Sequence, residues 1–111
     1  MSISIVLLPN GQMRHVNLPA ADTLPLTLDL LDCFAAERHP IRPHVAMWID
    51  AGGHGLREAN MPATKLSVRY GGVWKPYYGP VLLCGIDEQG RSRDLTVSQI
   101  RELLPYLLRI A

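Results

Sequence analysis

The chain predicts an α+β fold, a mainly antiparallel sheet with an N-terminal β-hairpin and two helices in the order ββαβββ(β)α. Three observations carry that reading. An Asn-Gly turn separates two short strand-like stretches at the amino terminus. A nearly continuous apolar run, Val81 to Ile86, reads as a central strand. A capping box near the carboxyl end opens an apolar pattern of helical period. At 111 residues the chain is one domain, 1–111. Hydrophobic residues make up 48% and charged residues 19%, which excludes a disordered or fibrous chain.

Taken in order, Ile3 to Leu8 and Met13 to Leu18 flank Pro9-Asn10-Gly11-Gln12, where Asn-Gly tolerates the positive φ angles of a type I′ turn. Asp22 or Thr23 then caps a helix running to about Arg38, with Leu26, Leu30, Leu31, Phe34 and Ala35 on its apolar side and Cys33 in the core. His39-Pro40-Ile41-Arg42-Pro43-His44 is a stiff connector, because each proline lacks an N–H and disfavours α geometry before it. Val45 to Asp50 is strand-like, and Ala51 to Gly55 is a turn. Leu56 to Ala63 is ambiguous. Lys65 to Tyr70 alternates Leu66, Val68 and Tyr70 against polar residues, the pattern of a strand with one wet face. Gly71 to Pro80 is a loop loaded with aromatics, and Arg91 to Leu95 returns beside Val81–Ile86 after the turn at Asp87-Glu88-Gln89-Gly90. Thr96-Val97-Ser98-Gln99 is the capping box, followed by Ile100, Leu103, Leu104, Leu107 and Leu108 with Pro105 inside the helix. The two helices are expected to share one face of the sheet.

The net charge of +1 supplies no global field for nucleic acid or an anionic membrane. Residues 1–55 carry three arginines against five acids, and residues 56–111 eight cations against five acids, so any electrostatic preference is local. The amino terminus has no cation before Arg14 and its apolar stretch is short, so neither a signal peptide nor a membrane span is expected. Cys33 and Cys84, far apart and in apolar segments, read as free thiols in a reducing compartment, which makes the cytoplasm the expected location.

No catalytic spacing emerges. Cys33, His39, His44 and Cys84 are too loosely spaced for a structural zinc site, so no metal or cofactor is expected. Ser67, His54 and Asp50 lack a nucleophile elbow, and Gly52-Gly53-His54-Gly55 lacks the lysine and hydroxyl of a phosphate loop. His54 is read as partner-facing. Chemistry is concentrated between Arg69 and Tyr78, where Tyr70, Trp74, Tyr77 and Tyr78 place four of the seven aromatics beside Arg69 and Lys75. Trp, Tyr and Arg dominate binding hot spots because they bury much area and keep a polar handle. With Arg57 these residues form the candidate binding set, set against the plainer reading that the rings cover the protein's own sheet edge. Leu104, Leu107, Leu108 and Ile110 either finish the core or form a homodimer seam.

The order of signals resembles a family known only as a domain of unknown function, small proteins carried by bacteriophages and conjugative plasmids. Three segments carry the resemblance: Ile3 to Leu18 before a Leu-rich helix, Leu56-Arg57-Glu58-Ala59-Asn60-Met61-Pro62-Ala63, and Gly79 to Gly90 running into Asp94 to Ile100. It implies a mobile-element context, in which small proteins often act on host proteins, and it carries over no functional residue. The expectation is a non-catalytic protein-binding module, for example an inhibitor of a bacterial defence system. The alternative is a single-stranded nucleic-acid-binding protein using Arg69, Tyr70, Trp74, Lys75 and Tyr77 as a stacking platform.

Overall fold

The computed structural model describes residues 2–52, 56–72 and 74–110. It is an α+β fold with a mostly antiparallel sheet, as the sequence predicts. β1 (Ser4–Leu7) and β2 (Met13–Val16) form the amino-terminal hairpin, with Ser4 opposite Val16 and Leu7 opposite Met13. The turn is not type I′. Gly11 N–H donates to Leu8 O, and of the two turn residues Asn10 and Gly11 only the glycine has a positive φ, +88°. Pro9 presets the first central angle of a type I turn, and Gly11 then closes a three-residue loop through a Leu8 N–H to Gln12 O bond.

α1 (Thr23–Leu31) ends seven residues before the expected Arg38. Asp32 takes φ 51°, its N–H bonds Asp29 O, and Cys33 N–H reaches back to Leu28 O. That pairing is a Schellman stop, usually built on glycine, but here the left-handed position is an aspartate that does not mark a helix end by its residue type. The supposed connector is instead β3 (Ala36–Arg42), paired with β4 (Val45–Asp50) around a turn with His44 at φ 64°. Pro40 is tolerated because β3 is an edge strand, where one backbone side faces solvent.

The alternation at 65–70 also misled. Residues 65–69 belong to α2 (Met61–Arg69), with Tyr70 as its C-cap, and the buried face of the helix is Pro62, Ala63, Thr64, Leu66 and Ser67. Small residues make that face, so a hydrophobic count sees little of it beyond Leu66. Its entry was legible: Asn60 Oδ1 accepts the Ala63 N–H and Pro62 lies in the first turn. Short β5 (Ala59–Asn60) pairs with β6 (Tyr77–Tyr78), so the aromatic loop contains a strand.

β7 (Val81–Ile86) is central as expected, and β8 (Ser92–Arg93) returns beside it. The main sheet runs β2-β1-β7-β4-β3 with every pairing antiparallel. α3 (Val97–Ile110) opens on the expected capping box: Gln99 N–H donates to Thr96 Oγ1 at 3.2 Å, and Thr96 N–H to Gln99 Oε1 at 2.9 Å. Of its apolar positions Leu103 and Leu107 are buried, whereas Leu104 and Leu108 are exposed. The Ile110 side chain lies outside the described residues.

Strand alternation gives the sheet two apolar faces, and the helices divide between them rather than sharing one. Ile5, Leu7, Val45, Met47, Val81 and Leu83 pack with residues of α2 and α3. Val6 and Leu82 pack with Leu31 of α1, Trp48 and half-buried Cys33. Phe34, expected on the core side of a longer first helix, lies beyond its end and is fully exposed. Among the described residues no helix is long and apolar enough to cross a membrane.

Candidate functional site

One residue fixes where the aromatic segment lies. Asn60 is fully buried, and its amide nitrogen donates to Leu7 O of β1 and to Gly79 O after β6, both at 2.9 Å. The two carbonyls can only accept and the Ala63 N–H can only donate, so the partners dictate the amide's orientation. Beside it, Thr64 Oγ1 donates to Asn60 O and accepts the Tyr77 N–H. The segment after α2 is thereby tied to β1 and α2 through buried polar groups.

Arg57 is the second brace. Its guanidinium donates to Leu31 O and Asp32 O at the end of α1, where a cation complements the helix dipole, and its Nε lies 3.1 Å from an Asp50 carboxylate oxygen on β4. Gly79, at φ 75°, leaves room for it: a Cβ there would stand 2.6 Å from Arg57 Cδ. Read from sequence as a binding residue, Arg57 is engaged in joining α1, β4 and the end of β6.

The remaining members of the set face different partners. Arg69 donates to the Tyr106 hydroxyl and lies over that ring on α3. Tyr70 packs edge-on to Tyr106 beneath the Arg42 guanidinium, and its hydroxyl oxygen is buried with no hydrogen-bond partner among the described residues. Trp74 is 56% exposed and Lys75 is exposed, while Tyr77 and Tyr78 are half-buried. The five residues of the stacking platform are therefore split between the α2–α3 side and the β6 segment.

β6 roofs a cleft of about 210 Å³ over the β3–β4 hairpin, lined by Glu37, His39, Ile49, Asp50, Ala51 and Lys75 to Tyr78. Glu37 and His39, which the sequence placed in a helix end and a connector, come together here because strand alternation puts both on one face. His39 Nε2 is 3.2 Å from Glu37 Oε2, His39 Nδ1 is 3.4 Å from the Tyr77 hydroxyl, and that hydroxyl is 3.4 Å from Ser67 Oγ. For a neutral imidazole the carboxylate, an acceptor only, sets the tautomer: Nε2–H donates to Glu37 and Nδ1 accepts from Tyr77. The chain of contacts ends on buried Ser67, away from the cleft mouth. Its effect is to hold the Tyr77 and His39 rings edge to face, 5.7 Å apart.

Asp50 also lines a second hollow, shared with Cys33, Phe34, Ala35, Leu56 and Arg57. Phe34 is fully exposed there and Leu56 is 84% exposed. Neither was in the sequence-derived set, since one looked like core and the other fell in an ambiguous stretch. Burial, and then the Asp50 charge, push the Cys33 thiol up, and burial drives Cys84 up to about 11. Neither thiol has the lowered pKa of a nucleophile. Among the described residues no group of three or more His, Cys, Asp or Glu is placed to hold a metal ion. The His54 turn and Val73 lie outside the described residues.

No family model, curated protein or solved structure matches this chain.

Proposed function

We propose that this protein is a non-catalytic protein-binding module whose contact face is the end of the β3–β4 hairpin. The observation that carries the reading is the exposure of Phe34 and Leu56 around one hollow that shares Asp50 with the cleft beneath β6. Exposed Trp74 adjoins Lys75 of the cleft wall in the chain. Scattered surface leucines mean little, whereas large apolar groups gathered around connected hollows mark interaction surfaces. Each such side chain taken out of water contributes about 1.5–3 kcal/mol before the costs of association. Asn60, Arg57 and the Tyr77–His39 pair brace the surface from below, which limits the ordering cost of binding.

The resemblance to phage and plasmid proteins makes a host protein, such as a component of a bacterial defence system, the partner class to test first. Affinity capture from a bacterial lysate identifies the candidate, and titration of the purified partner measures it. The Phe34→Ser, Trp74→Ala double variant should lose at least a hundredfold in affinity with an unchanged urea midpoint. Affinity within threefold of the parent would remove this face from the interaction.

A further inference from the structure

We propose that β3 accepts an extended acidic peptide of a protein partner as an added antiparallel strand, its carboxylates meeting Arg38 at the outer rim of the groove that Arg38 shares with Arg91 and Arg93. The inference rests on the protein-binding reading above but uses a different surface from the Phe34 rim. Among the described residues β3 pairs only with β4, so one side of its backbone meets no other described strand. Which groups face outward follows from the register. Ala51 N–H bonds Ala35 O, and Ala36 stands opposite Asp50, so Glu37 and His39 exchange their hydrogen bonds with Ile49 and Met47. Ala36 and Arg38 therefore turn both N–H and C=O to the open edge. Pro40 falls on the same outward parity, where its missing N–H costs the ladder nothing.

Each face of this edge adjoins a hollow. On one side Glu37 and His39 line the cleft under Tyr77 and Tyr78. On the other, Arg38, Trp48, Arg91 and Arg93 line a groove of about 390 Å³ beside the start of α1. Three guanidinium groups meet there. Arg91 and Arg93 share one carboxylate, Asp87, at 3.4 and 3.2 Å, while Arg38 lies over the Trp48 ring and donates to Gly90 O. Asp22 is the acid on the groove wall, so the arginines remain in excess. Backbone pairing with alternate side chains on the two faces is the logic of strand addition, and Arg38, at the rim of a groove with arginines in excess, selects acidic residues on one side of the added strand. A peptide residue opposite Arg38 shares its face, so acids belong at alternate positions and apolar residues between them point to the Tyr77 cleft.

The probe is a fluorescein-labelled nine-residue peptide of alternating Asp and Leu, titrated into the full-length ¹⁵N-labelled protein. Before addition, the Glu37 and His39 amides should resist hydrogen exchange and those of Ala36 and Arg38 should not. Addition should shift and protect the latter pair. N-methylation of the Asp residues, whose N–H groups point at the edge in this register, should weaken binding at least thirtyfold. N-methylation of the Leu residues should change it by less than threefold. Arg38→Glu should cost at least tenfold with an unchanged urea midpoint. No binding, binding indifferent to both methylation patterns, or equal binding of a Lys-Leu peptide overturns the inference. Protection of Ala36 and Arg38 that grows with protein concentration alone assigns the edge to a second copy and overturns it too. Shifts confined to Phe34 and Leu56 overturn strand addition while leaving the protein-binding reading intact, and the partner titration above tests that reading separately.

Discussion

Replacing Asn60 tests the account of how the β6 segment is held. Asn60→Ala removes the helix cap, worth about 0.5–2 kcal/mol. It also strands the Gly79 carbonyl in a fully buried site and takes a second donor from the Leu7 carbonyl, which keeps its place in the ladder with Val81. Each buried polar group left unsatisfied costs about 1–3 kcal/mol, partly relieved by relaxation or an entering water. Together these give a loss of about 2–4 kcal/mol. With a urea slope of about 1.5 kcal/mol/M, the unfolding midpoint should fall by about 1–3 M. Asn60→Asp separates the two roles. Asp is as good a cap as Asn on an ordinary helix, but here it aims acceptors at two carbonyls and buries a charge. The Asp variant should be at least as damaging as the Ala variant at pH 7. An Asp variant within about 1 kcal/mol of the parent would show that capping alone explains Asn60.

Three further outcomes follow from particular residues. Asp32→Gly should stabilise the protein by about 0.5–1 kcal/mol in urea denaturation, because Asp32 ends α1 at φ 51° where glycine is unstrained; destabilisation would mean that its carboxylate, 4.0 Å from Arg57, matters more than the backbone. Pro105→Ala, at an exposed position inside α3, should raise stability by about 1–3 kcal/mol by restoring an N–H donor to the helix, and a lower melting temperature would show that the proline fits the packed helix better than alanine does. Cys84 has a pKa raised from an ordinary 9.0 to about 11, so its contribution is complete below pH 9 and is lost as pH climbs toward 11. That gap amounts to at most about 3 kcal/mol. Cys84→Ala should flatten the fall in stability over this range, and an equally steep fall would exclude the thiol as its source.

The legibility of this protein divides along the range of the interactions involved. Signals that act over four or five residues were readable: the Pro9–Gly11 turn, the Thr96–Gln99 capping box, and the apolar run of β7 each carry their own local cause. Asn60 followed by Pro62 carried one too, and it was missed because Leu66, Val68 and Tyr70 alternate as a strand would. The stop of α1 at Asp32 had no glycine to mark it, so the apolar pattern ran on and placed Phe34 inside.

The candidate site was legible only in part. The sequence singled out the aromatic segment from composition alone, and Trp74 and Lys75 do stand in water. It could not know that Arg57 is taken up by Asp50 and the end of α1, that Arg69 turns to Tyr106, or that Glu37 and His39 meet Tyr77. Composition and local pattern determined the fold class and most strands, because turn chemistry and burial period are properties of neighbouring residues. Which side chains are free to meet a partner was decided largely by contacts between segments distant in the chain, such as Arg57 with the end of α1, Arg69 with Tyr106 and His39 with Tyr77, and only the folded chain brings those together.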